Sequence, residues 1–277
     1  MTAATPIAFE CVGAALIGVL HGACAPARRG VVIVVGGPNY RVGSHRQFLL
    51  LARRLAAAGV PVLRFDCRGM GDSDGDFPGF EAIGPDIRAA VDALCRETGV
   101  TEVVLWGLCD AASAILFYAG GDARVRAIAI ANPWVRTVAG QAKAEIRHHY
   151  AGRLASGAFW RRLLTGDVAI GRAVAGAAGA VVRARRGGGG GKDADLPGRM
   201  AAGLARFAGP VLLLISGDDM TAREFDDACA ASPTWRGLLA APRVTRHELP
   251  AADHTFSTRA WRDEVAARTV GWVNGLG

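Results

Sequence analysis

Residues 101–118 read TEVVLWGLCDAASAILFY. Val103–Trp106 is an apolar run of strand length, and from Ala111 the residues are small and apolar, as in a buried helix. Between them Gly107-Leu108-Cys109-Asp110-Ala111 makes a sharp turn. The layout is that of a nucleophile elbow, Gly-x-Ser-x-Gly, with Cys109 in place of the serine and Ala111 in place of the second glycine. The flanks must be small because backbone passes close to the nucleophile at such a turn. The helix that follows aims its N-terminus, the positive end of its dipole, at the thiol and favours the thiolate. The competing reading of Cys109 is a small buried hydrophobe, the usual fate of a free cysteine.

Working outward, strands and helices alternate. Ile7–Cys24 alternates loosely and predicts an N-terminal hairpin at a sheet edge, with His21 in a structural role. Gly30–Gly37 (GVVIVVGG) is a continuous apolar run, as in a buried central strand, and ends in the tight loop Gly36-Gly37-Pro38-Asn39-Tyr40. A helix is expected from about Ser44 to Ala58, a strand at Pro61–Phe65, and a helix over Asp86–Thr98. Val125–Ala131 is the next strand, ending at Asn132-Pro133-Trp134. Val211–Ile215 leads into Ser216-Gly217-Asp218-Asp219-Met220-Thr221, with Thr221 expected to cap the following helix. Val244–Leu249 leads into Pro250–Phe256, and a helix carrying Trp261 and Trp272 closes the chain. Such alternation predicts an α/β fold with a mostly parallel central sheet and helices on both faces. The motif-bearing loops follow strand carboxyl ends, where ligands bind in such sheets.

From about Thr137 to Ala205 the alternation stops. The segment is helical in composition and contains five consecutive glycines, Gly187–Gly191, which read as a flexible linker. This predicts a helical cap insertion at 137–205 on a core of 1–136 and 206–277. The span from Gly140 to Met200 holds eleven basic and four acidic residues, which accounts for the whole net charge of +7. That excess could attract an anionic substrate or allow peripheral membrane contact; a solvated helical face is the plainer reading. No run approaches the roughly 18 apolar residues of a membrane span, and Val12–Leu20 lacks the basic flank of a signal peptide. The six cysteines form no Cys-x-x-Cys pair, so neither a disulfide framework nor a metal site is expected, and a cytoplasmic location fits. No Gly-x-Gly-x-x-Gly or phosphate-binding loop occurs, so no nucleotide cofactor is implied, nor a nucleic-acid partner.

Three features in chain order make a triad: Cys109 at the elbow, an acid after the next core strand, and His254 after the last strand. His254 would take the thiol proton, and the acid would fix its tautomer and stabilise the imidazolium. Asp219 stands one residue deeper into its loop than Asp218 and is preferred, with Asp218 as the alternative. Asp253 reads as a turn residue. An oxyanion hole needs two backbone N–H groups. Asp110 supplies one, and since Pro38 has none, Gly37 or Asn39 must supply the other. Arg41, His45 and Arg46 follow that loop and are candidates to bind a carboxylate or phosphate, or else to pair on a helix face. Trp134 is a candidate to line the acyl pocket, with core packing as the alternative.

These strings resemble a known family. The GGPN loop resembles the HGGPG-like oxyanion loop of α/β-hydrolases, and Asp66–Gly75 resembles their Asp-x-Arg-Gly-x-Gly-x-Ser motif. More narrowly, GGPNYRVGSHRQF, RFDCRGMGDSDG, LWGLCDAAS, NPWVR, SGDDMTAREF and ADHTFS together resemble the exosortase A system-associated hydrolase, type 1. The resemblance spans nearly the whole chain outside the cap. It implies a cytoplasmic α/β-hydrolase encoded with exopolysaccharide and exosortase genes in Gram-negative bacteria, with Cys109 as nucleophile, Asp219 as acid and His254 as base. Cysteine in place of serine points toward activated acyl groups.

The expectation is a cofactor-independent esterase or thioesterase acting on a small acyl substrate through an acyl-cysteine. An acyltransferase with the same triad is the close variant. A catalytically idle member of the fold, docking through its basic cap, is the alternative of another class.

Overall fold

The structure, a computed structural model, describes residues 4–22, 27–37, 39–135 and 195–277. Its contacts divide the chain into two units, Met1–Trp134 with Arg199–Gly277, and Val135–Gly198. The first carries the sheet and the pocket. The cap expected at 137–205 and its glycine run lie almost wholly outside the described residues.

Eight strands form one sheet: β1 Ala4–Cys11, β2 Ala14–His21, β3 Arg29–Val34, β4 Val62–Phe65, β5 Glu102–Leu108, β6 Val125–Ala131, β7 Val211–Ser216 and β8 Val244–Leu249. Their order across the sheet is β1-β2-β4-β3-β5-β6-β7-β8. The β1–β2 hairpin is antiparallel, β2 meets β4 antiparallel, and every pairing from β4 to β8 is parallel. The hairpin at the edge is thus where the loose alternation of Ile7–Cys24 placed it, with Cys24 itself outside the described residues. β5, at the centre, is buried along its whole length. That is what an unbroken apolar run signals when helices cover both faces.

Among the described residues there are seven α-helices: α1 Gln47–Ala57, α2 Gly84–Thr98, α3 Asp110–Tyr118, α4 Leu196–Arg206, α5 Met220–Ala231, α6 Pro233–Leu239 and α7 Arg259–Gly275. α1 packs with α7 against one face of the sheet, and α2 with α3 against the other. α1 buries Phe48, Leu51, Ala52 and Leu55, the spacing of one helical stripe. Each such fully buried large side chain stabilises the fold by roughly 1.5–3 kcal/mol. α2 stops at Gly99, whose φ of 73° is the left-handed geometry that terminates a helix without a Cβ penalty.

Two local expectations are corrected. α1 does not begin at Ser44: His45 (φ 54°) and Arg46 (φ 61°) are left-handed, and a 3₁₀ turn at Ser44–Arg46 precedes the helix. The cap of α5 is Asp219 and not Thr221: Asp219 accepts the N–H groups of Thr221 at 3.0 Å and Ala222 at 3.1 Å. A carboxylate two residues ahead of Thr221 satisfies the orphan donors of the first turn that the hydroxyl was expected to serve.

Candidate active site

β5 ends at Leu108, and Cys109 takes φ 63° and ψ −126° before α3 begins. Such backbone costs a non-glycine residue on the order of 1–3 kcal/mol and persists only where its surroundings fix it. They do so here. The Cys109 N–H donates to Ala131 O at 2.9 Å and the Trp134 N–H donates to Cys109 O at 3.2 Å. The Ser113 hydroxyl in α3 donates to Trp134 O at 2.7 Å. A Cβ on Gly107 would sit 2.9 Å from the Ala111 carbonyl carbon, so the first glycine of the elbow is required by the close approach of α3. The result presents Cys109, half-buried, at the carboxyl edge of the sheet.

His254 reaches the same place from the loop after β8. Its Nδ1 lies 2.7 Å from Oδ2 of Asp219, at the end of β7. Burial of the imidazole works against its charge, but its hydrogen bonds to the Asp219 and Cys109 side chains outweigh it and push the pKa of His254 up to about 10. Asp219 is nearly buried, whereas Asp218 is exposed and faces Arg223 at 3.7 Å. Asp219 is therefore the acid that meets the histidine. Asp253, beside His254, accepts the N–H groups of Thr255 and Ser257 and binds the Ser257 hydroxyl within its own turn.

One contributor was not singled out in the sequence. Asn132, fully buried at the end of β6 with φ 42°, donates from Nδ2 to the Ser216 hydroxyl at 2.9 Å and to His254 O at 3.1 Å. Its Oδ1 accepts the Ser216 N–H at 2.8 Å, and the Ser216 hydroxyl donates to Asp253 O at 2.9 Å. Asn132 and Ser216 together fasten the histidine loop to the strand ends. The available signal was an asparagine in a strand-end Asn-Pro-Trp, where a buried side chain must find partners.

A pocket of about 350 Å³ opens over these groups, lined by Cys109, His254, Asp110, Gly37 and Asn39 and by apolar Phe48, Phe80, Leu108 and Trp134. Trp134 thus lines the pocket, one of the two roles considered for it. Asp110, Gly37 and Asn39 also meet there, but the N–H groups of Gly37 and Asn39 are engaged. Gly37 N–H donates to Oδ2 of Asp110 at 2.7 Å, and Asn39 N–H donates to Gly37 O at 2.8 Å. Oδ1 of Asp110 accepts the Ala111 N–H at 2.9 Å. Burial pushes the Asp110 carboxyl up from the usual carboxylate range, against the N–H groups of Gly37, Ala111 and Asp110 itself, and His254, which hold it down.

Arg41 and His45, candidates to bind substrate, are placed elsewhere. Arg41 forms ion pairs with buried Asp66 and, at 2.9 Å, with Asp72, and its guanidinium stacks 4.3 Å from the Tyr40 ring centre. Its charge is consumed in fixing the loop that carries Gly37. His45 is exposed on the 3₁₀ turn before α1, and neither it nor Arg41 lines the pocket. The Asp66–Gly75 motif builds the other side of that clamp. Asp66 accepts the N–H groups of Arg41 at 2.6 Å and Asp72 at 3.1 Å, while Asp86 takes the Arg68 guanidinium through both oxygens.

Among the described residues no cluster of three or more histidine, cysteine or acidic side chains could hold a metal ion, and no helix is long and apolar enough to cross a membrane.

The sequence matches the model of the alpha/beta hydrolase family over residues 19–268. No curated protein matches it. Among solved structures it is similar to the esterase Pf2001 of Pyrococcus furiosus (14% identity, TM-score 0.66, covering 99% of this chain and 92% of that one). It is also similar to Est1E of Butyrivibrio proteoclasticus, solved with ferulic acid bound (15%, TM-score 0.62, 97% and 98%). A third is a cold-adapted esterase from an Arctic intertidal metagenomic library (16%, TM-score 0.61, 99% and 93%). At these identities the likeness is one of fold.

Proposed function

This chain belongs to the alpha/beta hydrolase family, and from that premise we propose that it cleaves an ester or thioester through an acyl-cysteine at Cys109. The observation that carries the reading is the alignment of His254 between the Asp219 carboxylate and the Cys109 thiol at the floor of a largely apolar pocket. With Nδ1 held by Asp219, Nε2 is the nitrogen left to exchange a proton with the sulfur. The Asp219 carboxylate stabilises the imidazolium that forms when His254 takes the thiol proton, which leaves the thiolate, the reactive form of a cysteine nucleophile.

The steps follow. The Cys109 thiolate adds to the acyl carbon, and the carbonyl π pair moves onto oxygen, which the N–H groups of Asp110 and Gly37 receive. The oxyanion collapses, the bond to the leaving group breaks, and His254 gives that group its proton. A water then adds to the acyl-cysteine while His254 takes its proton, and the C–S bond breaks to release the acid and the thiolate. Asp219 stays ionised throughout and stabilises the imidazolium.

The pocket's size and its Phe48, Phe80, Leu108 and Trp134 lining favour a short or aromatic acyl group. The engagement of Arg41 by Asp66 and Asp72 removes the support for an anionic substrate held by that residue. The motif strings shared with the exosortase A system-associated hydrolases support a substrate arising in exopolysaccharide production. Hydrolysis of p-nitrophenyl ester and acyl-thioester panels tests the reading. Wild type is expected to turn over the shorter acyl donors and Cys109→Ala to lose at least about a thousandfold; turnover retained by Cys109→Ala would remove Cys109 from the mechanism.

A further inference from the structure

The residue after the nucleophile supplies the oxyanion site with an N–H and, in this structure, also fills that site. The two Asp110 carboxylate oxygens bridge the Gly37 N–H, on the loop after β3, and the Ala111 N–H, at the start of α3. Gly36 is part of the same fit, since a Cβ there would run into the Asp110 carboxylate and come 2.6 Å from the Ala111 nitrogen. One of the two donors that would receive a developing oxyanion, the Gly37 N–H, is therefore held by an anion of the chain itself. Two negative oxygens sharing that donor beside the apolar pocket wall would repel each other strongly.

Resting on the acyl-cysteine reading above, we propose that Asp110 is a gate on the oxyanion site: substrate oxygen gains the Gly37 N–H only by displacing the Asp110 carboxylate. Displacement is easier when the carboxyl is neutral, because a neutral acid accepts weaker hydrogen bonds than a carboxylate. Burial already biases Asp110 toward the neutral form. The charged and titratable groups that face it are His254 from the loop after β8, Cys109 from the elbow, and Cys67 from the loop after β4. The gate favours acyl groups whose carbonyl oxygen competes well for N–H donors, and it suppresses idle reaction at an unoccupied thiol.

An aldehyde probe tests this without requiring turnover. The Cys109 thiolate adds to the carbonyl carbon of butyraldehyde, the π pair moves to oxygen, and His254 protonates it to give a hemithioacetal. That oxygen needs the oxyanion site, whereas alkylation of Cys109 by iodoacetamide does not. The measured quantity is the affinity for butyraldehyde divided by the iodoacetamide rate constant of the same protein, from pH 4.5 to 8, for wild type, Asp110→Ala and Asp110→Asn. Asp110→Asn keeps the shape should Asp110→Ala fail to fold.

The expected result is a ratio at least about tenfold higher in Asp110→Ala at pH 7. In wild type the ratio should fall as pH rises through the titration of Asp110, and that limb should be missing in both variants. An equal or lower ratio in Asp110→Ala, or the wild-type pH limb retained in Asp110→Asn, overturns the gate. If wild type adds aldehyde with this behaviour but hydrolyses no ester or thioester, the gate stands and the hydrolase reading fails. If Cys109 takes neither reagent, both fall.

Discussion

Asn132 and His254, 122 residues apart in the chain, are joined by a hydrogen bond of 3.1 Å from the buried Asn132 amide to the histidine's backbone carbonyl. That bond sets where the loop after β8 places the imidazole. The same amide also holds Ser216 through two further bonds. Asn132→Ala leaves the Ser216 N–H and the His254 carbonyl without their partner, at a cost of about 1–3 kcal/mol for each buried group left unsatisfied. Activity should fall further than stability, because His254 is then free to shift from Cys109. Urea unfolding alongside acylation rates checks this; a stability loss with unchanged acylation would deny Asn132 its positioning role.

His254 ties stability to pH. Its folded pKa of about 10 exceeds the ordinary histidine value of 6.5, so its contribution is complete below about pH 6.5 and is lost as pH rises through 10. Asp219→Asn keeps an equivalent helix cap for α5 but removes the charge partner. The melting temperature of wild type should exceed that of Asp219→Asn by most near pH 6, and the gap should narrow steadily toward pH 10. A gap that is flat in pH would mean the pair contributes only as a neutral hydrogen bond.

Arg41 separates two readings of the same residue. As an anion-binding group its removal would raise KM for anionic substrates only. As the clamp on buried Asp66 its removal leaves a desolvated carboxylate without its cation, at about 3–5 kcal/mol. Arg41→Ala is expected to lower the urea midpoint and to weaken turnover of neutral and anionic esters alike; a KM effect confined to anionic esters with full stability would contradict the clamp.

Gly36→Ala asks whether the loop after β3 must lie against the start of α3. The added methyl would meet the Asp110 carboxylate and the Ala111 nitrogen, and such overpacking costs about 1–3 kcal/mol. The loop should retreat from the elbow, and acylation of Cys109 should slow by at least about tenfold. Unchanged acylation kinetics would show that the contact is dispensable.

Much of this was legible in the sequence, for identifiable reasons. The apolar run of β5 followed by Gly107-Leu108-Cys109 marks both the central strand and the elbow, because local composition and spacing carry that information. The same holds for the β1–β2 hairpin and for the acid and histidine at strand ends. The order of strands was not legible, since pairing β2 with β4 and β6 with β7 is decided by packing between distant segments. The short helix α6 spans only Pro233–Leu239, fewer residues than a periodic pattern needs. The break at His45 and Arg46 defeats a helix read from composition, because nothing in those residue types demands a left-handed backbone. Nor could spacing show that the Asp110 carboxylate folds back onto the Gly37 N–H that the loop was expected to offer, or that Arg41 would be spent on Asp66.

The most direct test of the account is intact-mass spectrometry on wild type, Cys109→Ala and His254→Ala during incubation with short acyl thioesters, followed by peptide mapping. Among the described residues Cys11, Cys67 and Cys229 are buried and Cys95 is half-buried, so the map must separate Cys109 from Cys95 and from Cys24, which lies outside the described residues. The account predicts a transient acyl adduct on Cys109 in wild type, absent in Cys109→Ala and formed far more slowly in His254→Ala. An adduct that maps to another residue, or forms equally fast without His254, would contradict it.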